Sequence, residues 1–585
     1  MNGAWKTGTW ENTATSVTYS LGDQIEAGTK FTFTVGAQKT GVSPSVDSNP
    51  VTITWGALEA PQDLQVITAT RQTVSLGWAP VPGATYYDVD MDDNFLGSSE
   101  NNRYVASGLT EGKSYSFAVI AKNELWESSM GAAITAVPGS DYTLVSYYTG
   151  WSVHDRKFYP EDVAVSKITH INYAFADLCW KKFGSGGAEC QNEDLPLQED
   201  YVFDGEIIVG DPEVDIDNFA VFSVIRDEHP NLKLMVSVGG WSWSKNFSNM
   251  AADEITRRSF ANSVVKFLRQ YELDGIDIDW EYPVEGGDDS NSRRPEDKQN
   301  FTLMMAALRD ALDAAGSVDG KYYLLTMASG QGDNFVVNAD FANSSAYLDF
   351  INIMTYDYSG KWDELANHNS PLFYDKKLPT SSAPRNNVRG GLLGHLNGGV
   401  PNYKLVVGVP FYGKGWEGCP AGGEYQTCSK SSTSFGTWET GIFDFTDLDH
   451  NYVNKNGYER HWNDAAKVAY LYNADKQIFM TYNDENTMLY TASLVKTLDI
   501  AGTMNWEISG DRDKKLIAAL NSALPIDGKV NTQELAAPSQ PKVASTSTKS
   551  IKVTWDAVAG ANAYEVYVND QFAGYSDTTS YTVGD

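Results

Sequence analysis

Three carboxylates stand two residues apart in Leu273-Asp-Gly-Ile-Asp-Ile-Asp-Trp-Glu-Tyr-Pro283, namely Asp277, Asp279 and Glu281. Alternate side chains of a strand share a face, so these three fall on one side and Ile276, Ile278 and Trp280 on the other. An apolar outer face for helices to cover, with an acidic inner face, suits a barrel strand near its C-terminal end, where such barrels carry their active sites. Like charges this close cannot all ionise freely, so at least one carboxyl keeps its proton toward neutral pH, as a general acid must. Two plainer readings also fit the spacing: a solvated acidic strand end, or a divalent-metal site fed by Gly286-Gly-Asp-Asp-Ser290. No His or regular oxygen-ligand loop supports the metal, and none is expected.

The elements that must position these acids alternate strand with helix over residues 141–525, the order that predicts a parallel sheet or barrel. Eight strand segments can be read: 144–148, 171–175, 233–238, 275–280, 323–328, 350–356, 405–409 and 501–506. Eight is the number that closes a (β/α)8 TIM barrel. Phe260, Val264, Phe267, Leu268 and Tyr271 form a helical stripe before the acidic strand, and Phe301, Met305, Leu308 and Leu312 form one after it, expected to stop at Gly316. The interval between strands seven and eight is too long for one helix. Extra strands at 436–443 and 477–482 are read within about 412–490, an interval that resembles a small α+β insertion domain.

The chain of 585 residues has room for several domains. Residues 1–56 read as a small β-sandwich-like module, with Trp5, Trp10 and Trp55 serving either its core or a carbohydrate. Ala60-Pro61, Trp78, Gly83, Tyr87 and Tyr104 recur 477 positions later as Ala537-Pro538, Trp555, Gly560, Tyr564 and Tyr581. These repeats, 57–138 and 537–585, resemble fibronectin type III modules, with a linker at 526–536. The second copy stops where the first still has two strands to run. The domain between them is placed at 139–525. Both modules are expected to act as spacers.

A net charge of −32 argues against nucleic acid or an anionic membrane surface as partner. Aromatic residues make up 12% of the chain, a surplus that suits stacking on sugar rings. The four cysteines fall into two local pairs, Cys179 with Cys190 and Cys419 with Cys428. Ten and eight intervening residues fit no common zinc motif; disulfides of an exported protein, or four free thiols, remain as readings. No apolar run spans a membrane and Met1-Asn-Gly-Ala-Trp5 is no signal peptide, so an export signal is expected to have been removed.

Asp274-x-x-Asp277-x-Asp279-x-Glu281 resembles the DxxDxDxE signature of family 18 glycoside hydrolases, the chitinases. Ser237-Val-Gly-Gly-Trp241 resembles that family's SxGG on strand three, Met354-Thr-Tyr-Asp357 its MxYD on strand six, and Trp506 its strand-eight tryptophan. The resemblance covers all of 141–525. Paired carboxylates on one strand are awkwardly placed to attack opposite faces of a sugar. The family resolves this by letting the substrate's own 2-acetamido oxygen attack the anomeric carbon, with net retention.

The resemblance then implies that Glu281 is the general acid and later base, Asp279 holds the acetamide N–H, and Asp277 supports Asp279. Tyr356 would aim the acetamide oxygen and Asp357 would contact the sugar or Asp279. Met354 would pack the pocket over the Trp506 floor. Trp151, Trp241, Trp362 and Trp416, with Tyr412 and Phe175, are candidates for stacking or lining the cleft; plain packing is the alternative for each. Ser237 and Asp274 read as supports for backbone and neighbours, and His170 as structural. Lys414 stands where related enzymes often carry Arg, without the planar fork.

The implied protein is a secreted monomeric chitinase acting on N-acetylglucosamine polymers without a cofactor. A glycan-cleaving endo-β-N-acetylglucosaminidase and a non-catalytic chitin-binding barrel are its rivals.

Overall fold

The structure, a computed structural model, describes residues 30–34, 51–54, 57–180, 190, 204–382, 384–529, 535–561, 563–569 and 571–584. Of the N-terminal segment it places Lys30–Phe33 antiparallel to Val51–Thr54. The sandwich expected around them, and Trp5, Trp10 and Trp55, lie outside the described residues. The chain divides into two compact units, Met1–Gly528 and Lys529–Asp585; part of the expected linker, residues 530–534, is likewise undescribed.

Within the first unit, eight parallel strands close a barrel: Thr143–Thr149, His170–Leu178, Lys233–Gly239, Gly275–Asp279, Leu324–Ser329, Phe350–Ile353, Leu405–Pro410 and Gly502–Trp506. Strand one pairs with both strand two and strand eight, which shuts the cylinder. All eight expected strands are present. Their side chains are buried on both faces, as a parallel sheet under helices requires.

The helix Glu254–Gln270 begins at Asp253, whose carboxylate accepts from the Ile255 N–H, and it buries Phe260, Val264, Phe267 and Leu268 as the stripe predicts. Helix Asp297–Asp319 buries Phe301, Met305, Leu308 and Leu312 but runs past Gly316. A Cβ at Gly316 would lie 2.2 Å from the Lys321 carbonyl, so this glycine permits a close backbone approach inside the helix. The true stop is Gly320, in the left-handed conformation at φ 66°.

Between strands seven and eight, Tyr412–Glu417, Ile442–Asp444, Glu459–Asn463, Val468–Asn473 and Ile478–Tyr482 form one antiparallel sheet with the helix Phe445–Asn451. The insertion therefore ends near Tyr482. Helix Glu485–Thr497, which the expected boundary at 490 cut in two, packs beside the last barrel strand and belongs to the barrel.

Residues 57–138 form two sheets, of three and four strands. Trp78 sits edge-on to Tyr87 at 5.3 Å, and the Tyr87 hydroxyl accepts from the Val81 N–H at 2.8 Å. The second unit repeats this arrangement within itself: Trp555 and Tyr564 lie 5.3 Å apart, and the Tyr564 hydroxyl accepts from the Val558 N–H at 2.9 Å. Both expected disulfides, Cys179–Cys190 and Cys419–Cys428, are formed. Among the described residues no helix is long and apolar enough to cross a membrane.

Candidate active site

Strand four delivers Asp277 and Asp279 into the barrel, and Glu281 follows two residues beyond its end. Register decides what Asp277 meets. Ser237 on strand three and Thr326 on strand five stand level with it. Ser237 Oγ donates to Asp277 Oδ2 at 2.8 Å and Thr326 Oγ1 to Oδ1 at 2.6 Å. Across the interior, Tyr147 OH donates to Oδ2 at 2.6 Å and Asn352 Nδ2 to Oδ1 at 3.3 Å. Burial still raises the Asp277 carboxyl above the usual range, offset in part by these four donors.

Asp279 has no such company. It is buried, and its Oδ1 has no hydrogen-bond partner among the described residues. Burial, then the neighbouring charges of Glu281 and Asp277, hold it well above the ordinary carboxylate range. Glu281 is pushed up to about 7, chiefly by burial, with the Asp357 charge adding to the rise and hydrogen bonds to Tyr282 and Asp279 opposing it. The Asp279–Glu281 pair thus retains a proton near neutral pH.

Gly239 and Gly240 carry the chain over this pair at φ 107° and 79°. A Cβ on Gly239 would lie 2.4 Å from the Asp279 carbonyl, and one on Gly240 would lie 2.7 Å from the Phe175 ring. The Gly-Gly step is therefore required by both conformation and space.

Two adjoining hollows of about 560 and 720 Å³ share Trp241, Glu281, Met354, Tyr356, Asp357, Tyr412 and Trp506, and together make one cleft over the acidic pair. Trp506 lines both hollows, packed 5.5 Å from Tyr147 and stacked 5.8 Å from Phe175, which in turn lies 6.1 Å from Trp151. Trp241 and Trp362 line it at 53% and 60% exposure. Tyr356 is buried at its edge, 6.2 Å from Tyr412. Insertion residues Thr440, Ile442 and Asp444 wall the second hollow.

Asp357 Oδ1 accepts from Tyr412 OH at 2.6 Å and lies 2.6 Å from Lys414 Nζ. Lys414 is buried, donates to the Ser359 carbonyl at 3.0 Å and sits 4.6 Å over the Trp362 ring. Non-proline cis peptides join Ala174 to Phe175, Glu281 to Tyr282 and Trp506 to Glu507 at the cleft.

One expected stacking residue is corrected. Trp416 is fully buried, donates Nε1–H to the Asp363 carbonyl at 2.8 Å and packs with the Cys419–Cys428 disulfide, so its ring is insertion core. Trp416 shares a strand face with Tyr412 and Lys414 and borders the second hollow, but its ring belongs to the cluster of Ala366, Tyr472 and Phe479. Sequence reasoning missed Tyr147, Trp243 and Asp215, which also line the cleft. Asp215, raised to about 6 by burial, accepts from Tyr173 OH. The Tyr-Tyr pair of strand one carried a signal for Tyr147, since one of two adjacent strand residues must face inward. Asp274, by contrast, behaves as read: it accepts from the Leu234 N–H at 2.8 Å and pairs with Lys321 at 2.9 Å. His170 is buried and lowered to about 3, mainly by desolvation, against Phe350.

Residues 143–511 match the family model "Glycosyl hydrolases family 18". Chitinase A1 of Niallia circulans is 44% identical over 483 residues, covering 77% of this chain and 69% of that protein. The chain belongs to glycosyl hydrolase family 18. Among solved family 18 structures, chitinase ChiA74 from Bacillus thuringiensis is 37% identical with a TM-score of 0.62, covering 76% of this chain and 80% of that one. A family 18 N-acetylglucosaminidase from Paenibacillus barengoltzii is 32% identical with a TM-score of 0.55, covering 66% of this chain and all of that one.

Proposed function

We propose that this family 18 enzyme hydrolyses β-1,4 bonds of chitin and N-acetylglucosamine oligomers with retention, by substrate assistance. The observation that carries the reading is the buried Asp279–Glu281 pair under an aromatic-lined cleft, with one Asp279 oxygen unpaired among the described residues. Glu281, still protonated near pH 7, donates to the glycosidic oxygen as the bond to the anomeric carbon breaks. The substrate's acetamide oxygen forms the new bond to that carbon, giving an oxazolinium ion. Asp279 accepts the acetamide N–H and its carboxylate offsets the positive charge, while Asp277, saturated by four donors, keeps Asp279 in place. Tyr356 donates to the acetamide oxygen. Glu281, now ionised, takes a proton from water, which opens the ring from the original side.

Trp506 with Phe175 and Met354 would form the subsite for the distorted sugar, and Trp151, Trp241 and Trp362 would stack rings to either side. Asp357, held by Tyr412 and Lys414, would contact the sugar beside Glu281. Each disulfide suits an oxidising compartment, supporting an exported enzyme. The two Trp–Tyr sandwiches support the fibronectin type III-like reading of 57–138 and 537–585.

The deciding experiment incubates the protein and its Glu281→Gln variant with an N-acetylglucosamine hexamer and resolves products by length and anomer before mutarotation. Wild type releases β-anomers and the variant almost none. Binding of the hexamer by both without cleavage would make the cleft a lectin site.

A further inference from the structure

We infer that the sandwich 57–138 is the closing plate of the barrel's N-terminal mouth, a partner surface built for the barrel, and that its repeat at 537–585 lacks the chemistry to play that part.

A free sandwich sheet turns one face to its own core and one to water. In strand Thr73–Gly77 the inward residues Val74 and Leu76 join the sandwich core, yet the outward Ser75 and Gly77 are buried as well. What covers them is the barrel. A Cβ on Gly77 would lie 2.8 Å from the Tyr322 ring, at the entry to strand five. Ile67, on the adjoining strand Gln65–Ala69, belongs not to the sandwich core but to the apolar cluster of Val145, Tyr322, Leu324, Phe350, Val406 and Ala501 inside the barrel. That same apolar column continues up to Tyr147, Tyr356 and Trp506 beneath the cleft.

A polar rim surrounds the plug. Asp63 Oδ2 accepts from the Tyr322 N–H at 2.7 Å, and Gln65 Nε2 donates to the Tyr322 carbonyl at 3.2 Å. Thr68 Oγ1 donates to the Tyr403 carbonyl at 2.8 Å, before strand seven, and the Arg71 N–H to Asp499 Oδ1 at 2.8 Å, before strand eight. Asn102 and Arg103 reach Asp313 and the Ala346 carbonyl. Backbone groups left open where parallel strands begin are thus satisfied by the sandwich.

The repeat supplies an internal control. Its strand pairing matches the first copy down to the same bulge, between Val66 and Thr68 in one and between Val543 and Ser545 in the other. Its Trp–Tyr core is the same. The outward face is not: Gln65, Ile67, Ser75, Gly77 and Arg103 correspond, 477 positions on, to Lys542, Ala544, Lys552, Thr554 and Ser580. Strand Lys542–Thr546 is exposed throughout. Residues that fold a sandwich are common to both copies, while most residues that dock on the barrel occur in the first alone, Thr68 being matched by the hydroxyl of Ser545. The compact unit that holds the barrel accordingly includes the first copy and leaves out the second. The expectation that both copies are spacers is corrected for the first.

The test replaces docking residues by their counterparts in the repeat, I67A/S75K/G77T, in the full chain, and follows thermal unfolding and amide hydrogen exchange. Loss of the plate lowers the barrel's midpoint by about 5–10 °C and speeds exchange at residues 322–326 and 499–503 by roughly tenfold or more, while the inner strand Tyr86–Met91 keeps its protection. An unchanged midpoint with unchanged exchange in those barrel segments would return the sandwich to the status of a spacer. Should the triple variant unfold the sandwich itself, Ile67→Ala decides, because Ile67 lies outside the sandwich core: faster exchange at 322–326 supports the plate, and wild-type exchange there overturns it.

Discussion

Tyr147 OH donates to Asp277 Oδ2 at 2.6 Å, joining two opposite sides of the barrel. The tyrosine is buried on strand one, the aspartate on strand four, and the bond crosses the barrel interior. Tyr147→Phe therefore tests Asp277 as a support. One of four donors is lost while the others hold the side chain, so kcat falls about tenfold with KM within about twofold. An unchanged kcat would show that Asp277 needs no tuning from this side.

Glu281→Gln removes the only proton donor placed for the leaving oxygen in the proposed mechanism. The rate on the hexamer falls by about 10²–10⁴-fold while hexamer binding, followed by tryptophan fluorescence, stays within about threefold. Residual activity near wild type would move the acid role to another group.

Acid catalysis requires protonated Glu281, so activity is retained below its raised pKa of about 7 and declines as pH rises through it. Lys414 lies beside Asp357, whose charge already raises Glu281. Lys414→Met deletes a positive charge and leaves that negative charge unpaired, so the alkaline limb of kcat moves upward by about 0.5–1 pH unit. A limb that stays put or moves down contradicts the electrostatic link.

Trp362 and Trp416 separate stacking from packing. At 60% exposure Trp362 contributes little to folding, and Trp362→Ala weakens oligomer binding about tenfold with the unfolding midpoint nearly unchanged. Trp416 is fully buried in the insertion, so Trp416→Ala costs about 3–5 kcal/mol of stability there. Calorimetry with hexamer titration reads both effects, and reversed results would exchange the roles.

The Cys419–Cys428 bond ties the loop after strand Tyr412–Glu417 to the insertion core. In the loop-closure picture a bridge this short contributes about 2.5 kcal/mol. Cys419→Ser with Cys428→Ser lowers the insertion's urea midpoint accordingly, and an unreduced digest of wild type yields the two linked peptides. Four free thiols in that digest would remove both bridges.

Strand alternation placed Asp277, Asp279 and Glu281 on one face, and the strand–helix rhythm with its eight apolar segments specified the barrel, because both depend on periods local to the chain. The Gly-Gly after Ser237 and the acidic pair after Gly275 were legible for the same reason. Contacts between distant segments were not. Trp416 shares a strand face with Tyr412 and Lys414, and whether it met a cleft or a core depended on Ala366, Tyr472 and Phe479, which join it only after folding. Gly316 read as a helix stop because the Lys321 carbonyl beside it is a neighbour only after folding. The two repeats looked alike since their shared residues build each sandwich's interior. Tertiary structure alone decided that Ile67 leaves its own sandwich and enters the barrel, because burial is settled by what packs against a face and not by the residue that bears it.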